Sequence, residues 1–407
     1  MRATLLQDRT PHGCILGRIL SESRAPSPWT RRGFVRLAAA AIGAIPARRL
    51  LGQSSGPAPA EHAFPIVIDA LGGPGDPAAE EGAALSARAI ADVRVSGISA
   101  VNLTVGPVGE RPSLAAFEGI FRDLAGWEKE IDAHPDVLMR VRGAADLDAA
   151  RASGRLGLIF GLQDGVAFHD DVSRLDVLHR FGIRIIQPTY NLRNLIGDGC
   201  LEPDGAGLSR TGHEAVERMN ALRILLDLSH CGRRTTRDGL DASKRPPAFT
   251  HTGCASVADH PRNKTDEELH LLADKGGVAG IYFMPYLRTA GQPMAEDVVR
   301  HVERALQVAG EDHVGVGTDG AISPTDLSPE YRARFRADIE RRKKAGIGAP
   351  GEVPDVFPLV PDLNSPRRIQ KLGEMLLARG HSTARVEKIV GGNFVRLFRE
   401  VWGGDKA

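Results

Sequence analysis

The chain has only four cysteines in 407 residues, Cys14, Cys200, Cys231 and Cys254, and no two of them stand in Cys-x-x-Cys spacing. Cys14 lies in a leader-like segment, and the three that remain supply neither a disulfide framework nor a structural zinc knuckle. Long hydrophobic runs are missing too. The best candidate, Leu37–Ala47, has eleven residues, well short of the ~20 that cross a bilayer, so no transmembrane segment is expected in the mature chain. No Gly-x-Gly-x-x-Gly follows the first apolar run, which removes the dinucleotide-binding fingerprint. Residues 1–60 contain no lysine, yet they hold nine arginines against only Asp8 and Glu22. That block carries +7, and since the whole chain is +1, residues 61–407 carry −6. A folded part without a basic surplus argues against nucleic acid as a partner.

The arginine block has an internal order. Thr30-Arg31-Arg32-Gly33-Phe34-Val35-Arg36 precedes the small apolar run Leu37–Ala47. Paired arginines, an aromatic, a third basic residue and then an apolar stretch resemble a twin-arginine export signal. A basic helix or an unstructured arm is the plainer alternative. Residues 1–60 are therefore expected to be an export signal and linker, with Ala58-Pro59-Ala60 as a small-x-small cleavage site, and the mature chain is expected in the periplasm. Such signals carry proteins that fold before export, often with cofactor, which raises the expectation of a bound metal.

From residue 61 to 407, with 42% hydrophobic and 25% charged residues over the whole chain, the composition is that of a globular domain. Short apolar runs alternate with longer amphipathic stretches such as Ser113–Ile131 and Gly212–Leu222. The runs are Pro65–Leu71, Ile98–Val105, Leu156–Leu162, Ile183–Pro188, Ile224–Ser229, Ala248–His251, Gly277–Met284 and Val314–Thr318. Short runs apolar on both faces are the pattern of parallel strands covered on both sides. Eight of them with helical crossovers predict a (β/α)8 TIM barrel. Pro324–Pro361 is polar, Arg-rich and bounded by Pro and Gly, which predicts an insertion after the eighth strand. Ser365-Pro366 and Ser382 predict helix starts, Ser as cap and Pro in the first turn.

Chemistry-bearing residues fall at strand ends. The fifth strand ends in Asp227-Leu228-Ser229-His230 and the sixth in Phe249-Thr250-His251-Thr252. Adjacent barrel strands place such residues side by side at the C-terminal mouth, where barrel enzymes build their sites. Two neutral imidazoles there suit a divalent metal, zinc above all. Asp319, in Gly317-Thr318-Asp319-Gly320, is either a ligand or the general base for a metal-activated water. Arg262, eleven residues past His251, suits bidentate capture of a substrate carboxylate, though a surface arginine has the same signature.

Together these segments resemble the membrane (renal) dipeptidase family. The likeness is carried by Asp227-Leu228-Ser229-His230, Thr250-His251-Thr252, Pro261-Arg262-Asn263, Gly315-Val316-Gly317-Thr318-Asp319, Pro188-Thr189-Tyr190-Asn191 and Gly391-Gly392-Asn393. It runs from about Ile66 to Phe398. It implies a (β/α)8 metal-dependent hydrolase, often a homodimer, with two zinc ions bridged by a glutamate. His230 and His251 would be ligands of one zinc, Asp319 would serve the other, and Arg262 would hold the substrate carboxylate. Three family ligands are replaced: Leu71 and Gly73 stand where a His-x-Asp pair ends the first strand, and Gln163 stands at the bridging glutamate. Tyr190 stands where a substrate-contacting histidine is usual. One zinc ion per chain is therefore expected, at His230 and His251, with Asp164, Asp319, Cys254 or His169 as the completing ligand. The expected activity is metal-dependent hydrolysis of a dipeptide or related amide. The alternatives are a one-metal enzyme for a specialised peptide-derived metabolite and a non-catalytic periplasmic binding protein.

Overall fold

All eight apolar runs become strands: β1 (Ile68–Asp69), β2 (Ala100–Thr104), β3 (Leu156–Leu162), β4 (Ile183–Ile186), β5 (Leu225–Leu226), β6 (Ala248–Thr252), β7 (Val278–Ile281) and β8 (Val314–Val316). The computed structural model describes residues 63–77, 79, 83–109, 113–168, 171–202, 205–344 and 349–403. The expected export segment and His169 lie outside those residues. Every paired neighbour is parallel, in the orders β1-β2-β3-β4-β5 and β6-β7-β8. Two seams join these halves. At one, Leu228 N donates to Ala248 O at 2.8 Å; at the other, Ala70 N donates to Val316 O at 2.9 Å. The barrel is thereby closed.

The helices are α1 (Ala87–Ser96), α2 (Leu114–Ala133), α3 (Ala144–Ser153), α4 (Arg174–Arg180), α5 (Arg210–Leu222), α6 (Arg233–Ala242), α7 (Asp266–Asp274), α8 (Ala295–Ala309), α9 (Pro329–Lys344), α10 (Arg368–Ala378), α11 (Thr383–Glu387) and α12 (Asn393–Trp402). Several start where a hydroxyl can accept from an otherwise unpaired first-turn amide: Ser86, Ser113, Ser209, Thr265 and Ser382 all cap in this way. The Ser365-Pro366 start comes out two residues late. Those residues form a turn, with Arg368 N bonded to Ser365 O at 3.2 Å, and α10 begins at Arg368.

Alternation along each strand divides the core in two. Val101, Leu158, Phe160 and Ile186 face the helical shell, whereas Ala100, Ile159 and Ile185 face the barrel axis. Phe394 and Phe398 of α12 join the axial set and close the end of the barrel where the strands begin. Gly391 permits this approach, since a Cβ there would lie 2.6 Å from the carbonyl oxygen of Ile66. Asn393 then donates to Glu311 O and Val314 O, both at 2.8 Å, and anchors the helix to the start of β8. The Gly391-Gly392-Asn393 motif is thus a structural plug.

Two strand pairings are not legible as apolar runs. Leu138–Arg140 pairs with the start of β3, and Gly72–Gly73 pairs with Gly320–Ala321. The insertion carries its own helix, α9, with Tyr331 and Phe335 packed on Phe357 at 6.0 and 5.2 Å between ring centroids. It leans on the loops after β6 and β7: His260 Nε2 meets Pro350 O at 2.8 Å, and Gln292 bonds Phe357 N and Leu359 O, both at 2.7 Å.

A buried aspartate straddles each seam. Asp69 accepts from Thr318 N at 2.7 Å and Thr318 Oγ1 at 2.6 Å; Asp227 accepts from Thr250 N at 3.0 Å and Thr250 Oγ1 at 2.5 Å. Burial pushes the Asp69 carboxyl up from 3.8 to about 6, with the Thr318 bonds pulling the other way. A folded-state value above the unfolded one means stability that is fully present below about pH 4 and is lost as the pH rises through about 6. The loss is about 3 kcal/mol. In Asp69→Asn the amide oxygen can keep the two Oδ1 donors, Thr318 N at 2.7 Å and Leu71 N at 3.3 Å, while its NH2 donates to Thr318 Oγ1. Urea denaturation should therefore show wild type losing about 3 kcal/mol relative to this variant between pH 4 and 7. A pH-independent difference would remove Asp69 as the source.

Candidate active site at the barrel mouth

His230 follows β5 and His251 lies within β6, so the seam between those strands brings the rings together, 4.9 Å apart between centroids and tilted by 55°. Tyr190, from the loop after β4, stacks on His230 at 4.2 Å and 25°. His230 Nδ1 bonds Asn191 Oδ1 at 2.7 Å, and His251 Nδ1 bonds Thr250 Oγ1 at 2.9 Å. Both Nε2 atoms are buried and have no hydrogen-bond partner among the described residues. Burial, reinforced by the charge of Arg262, holds both imidazoles neutral, well below the usual histidine value. Two neutral rings, each tied down through Nδ1, present two unused Nε2 atoms to one buried site. That donor set fits a single divalent ion.

Arg262 is only 2% exposed. Its guanidinium reaches back to the strands that carry the histidines, donating to Ser229 O at 2.6 Å and His251 O at 3.3 Å, and lies 5.7 Å from the centre of the Tyr282 ring. This is a fixed, desolvated arginine, and the surface alternative is excluded. Asp319 closes β8 in the left-handed region at φ 57°, its N donating to Leu71 O at 2.7 Å, and its carboxylate interacts electrostatically with Arg262 and Tyr282. A non-glycine residue held in that conformation is uncommon, and such strain concentrates at functional sites.

Among the described residues, the proposed completing ligands do not join the pair. Among the described residues no group of three or more His, Cys, Asp or Glu side chains could hold a metal ion. Cys254 is buried with Sγ 3.4 Å from His301 O, on the α8 side of β6, and burial pushes its thiol up to about 12. It faces outward because the chain turns after β6. Asp164 accepts from Gly109 N at 2.9 Å, Asn194 Nδ2 at 2.8 Å and Val166 N at 3.2 Å, which makes it an organiser of the loops after β2, β3 and β4. Asp319 stands with Arg262 instead. At the three replaced positions the family's ligand types are absent. Leu71 is a buried aliphatic, Gly73 has no side chain, and Gln163 donates from Nε2 to Thr104 Oγ1 at 2.7 Å. An added Cβ at Gly73 would stand 2.7 Å from Leu103 Cδ1.

Sequence reasoning passed over the partners of the histidines. Asn191, Asp227 and Thr250 sit inside the motifs that carried the resemblance, but their roles appear only when strands 43 and 23 residues apart in sequence meet at the mouth: His230 N on Gln187 Oε1, Thr250 N on Asp227 Oδ1. Tyr282, which donates to Asn263 Oδ1 at 2.5 Å beneath Arg262, carried no signal.

Barrel, axial plug and a histidine pair at the C-terminal mouth define the class, a (β/α)8 barrel of the metal-dependent hydrolase type. The chain belongs to the membrane dipeptidase family (peptidase family M19), whose model matches residues 84–328. An amidohydrolase from Pseudomonas aeruginosa of known structure is 31% identical, with a TM-score of 0.69 over 83% of this chain and 97% of that one. A metallo peptidase from Rhodobacter sphaeroides, liganded with a phosphinate mimic of the dipeptide L-Ala-D-Ala, shares the fold at 20% identity and TM-score 0.66, over 83% of this chain and 100% of that one. Dipeptidase verJ of Clonostachys rogersoniana is 34% identical over 191 residues, which is 46% of this chain and 49% of that protein. The chain thus matches about half the length of that relative. No helix among the described residues is long and apolar enough to cross a membrane.

Proposed function

We propose that this chain is an exported hydrolase of dipeptide-like amides that works with one zinc ion per chain, held by His230 Nε2 and His251 Nε2. The observation that carries the reading is the pair of buried, unpartnered Nε2 atoms. An ion bound there supplies Lewis-acid polarisation and a water of lowered pKa. Arg262, fixed by two strand carbonyls, retains donors for a terminal carboxylate and thereby sets the register of the substrate. Tyr190, stacked on His230, is the residue beside the ion that contacts the substrate. Asp319 accepts the proton of the attacking water, its carboxylate being held near Arg262 by the left-handed turn.

Metal analysis of the purified mature protein tests the reading. About one zinc per chain is expected; two per chain would overturn the one-ion site, and none after zinc loading would favour a binding role. The replaced ligands and the insertion leaning on the mouth loops favour a second reading, a specialised amide substrate. A dipeptide panel separates the two, since metal retained without turnover of any dipeptide selects the specialised substrate. Export rests on the Arg31-Arg32 pair. Changing both to Lys should leave the protein in the cytoplasmic fraction, and unchanged periplasmic recovery would refute that route. A homodimer, which fits the family resemblance, should show twice the mature mass in light scattering.

A further inference from the structure

The second imidazole is held by a relay whose direction can be worked out by counting hydrogens. Asp227 Oδ1 accepts from Ser229 N at 3.1 Å, Ser229 Oγ at 2.5 Å and Thr250 N at 3.0 Å, and its Oδ2 accepts from Thr250 Oγ1 at 2.5 Å. Burial pushes the Asp227 carboxyl up while these four donors pull it back down; in its ionised form it only accepts, and both hydroxyl hydrogens are then committed to it. Ser229 Oγ in turn accepts from His251 N at 3.1 Å. Thr250 Oγ1 lies 2.9 Å from His251 Nδ1 and has no second hydrogen to give. His251 Nδ1 must then be the donor, which leaves the proton off Nε2.

We infer that Asp227 is a positioning residue that fixes the tautomer of His251 through Thr250, so that Nε2 always presents its lone pair to the site. This rests on the one-ion reading for its purpose but not for its existence. Carboxylates commonly orient metal-binding histidines by direct contact. Here the carboxylate acts one hydroxyl away and also pins the β5–β6 seam, where the ladder is reduced to the Asp227–Ala248 bridge. Geometry dictates what Asp227→Asn would do. The two backbone amides at the Oδ1 position cannot turn round, so the amide oxygen must stay there and the NH2 must face Thr250 Oγ1. The Thr250 hydrogen then turns towards His251 Nδ1 and drives the imidazole proton onto Nε2.

The experiment is long-range 1H–15N correlation of metal-free, 15N-histidine-labelled full-length protein, at a pH where His251 is neutral, with zinc titration in parallel. Wild type should show His251 as the Nδ1–H tautomer. Asp227→Asn should show Nε2–H with zinc affinity lowered about 10–100-fold, and adding Thr250→Val to it should recover part of the loss by removing the misdirected hydroxyl. A wild-type Nε2–H signal, or an unswitched tautomer in Asp227→Asn, would overturn the lock. A switched tautomer with unchanged zinc affinity would uphold the lock and instead overturn the one-ion site. Should Asp227→Asn fail to fold, Thr250→Val alone decides: a mixture of tautomers supports the relay, and a pure Nδ1–H signal refutes it.

Discussion

His230→Ala is expected to leave the protein without bound metal and to lower kcat/KM at least about 1,000-fold, because the ion supplies several kcal/mol of transition-state stabilisation and each 1.4 kcal/mol is tenfold. The effect is large because no third protein ligand among the described residues joins the pair. One imidazole cannot replace two. The structural consequences are smaller. Truncation removes a ring that is stacked on Tyr190 and bonded to Asn191, a loss of about 1–3 kcal/mol. Folding and metal loss can be told apart by melting with and without a chelator. Wild type should lose Tm on chelation because bound ion stabilises the native state, whereas the variant should melt at one temperature in both conditions. Metal content equal to wild type would remove the histidine pair from the site.

Strands, their order and the histidine pair could be read from the chain because each depends on local pattern. A run such as Leu158–Leu162 is apolar on both faces only because one face meets the barrel axis and the other the helices. The mouth position of His230 and His251 follows from strand direction alone. That Cys254 stays out of the site was not legible, since its orientation is set by the turn after β6 and not by strand alternation. Helix α9 was hidden for another reason. Its Arg-rich sequence carries only a thin apolar stripe, Tyr331, Phe335 and Ile339, of which the first two pack on Phe357 beyond the helix. The relay from Asp227 to His251 lay inside a recognised motif, but its direction depends on hydrogen counting across two strands that the sequence places 23 residues apart.

Arg262→Lys should retain zinc yet lower kcat/KM for dipeptides with a free C-terminal carboxylate about 100-fold, chiefly through KM. The guanidinium of Arg262 bonds carbonyls on both histidine-bearing strands, Ser229 O and His251 O, while lying against Tyr282. A lysine ammonium is a single point on a flexible stem and cannot bridge two carbonyls and still offer a flat pair of donors to a carboxylate. A bidentate, charge-assisted contact of this kind is worth about 2–3 kcal/mol in a water-excluded site, which sets the 100-fold figure. The same substitution leaves one buried carbonyl without its donor, so stability should fall by about 1–3 kcal/mol. C-terminally amidated substrates separate recognition from general damage. Wild type should turn them over poorly, and Arg262→Lys should worsen them little, because the contact at issue is already missing. An equal loss for carboxylate and amide substrates would make Arg262 a strut between the strands and assign carboxylate recognition elsewhere.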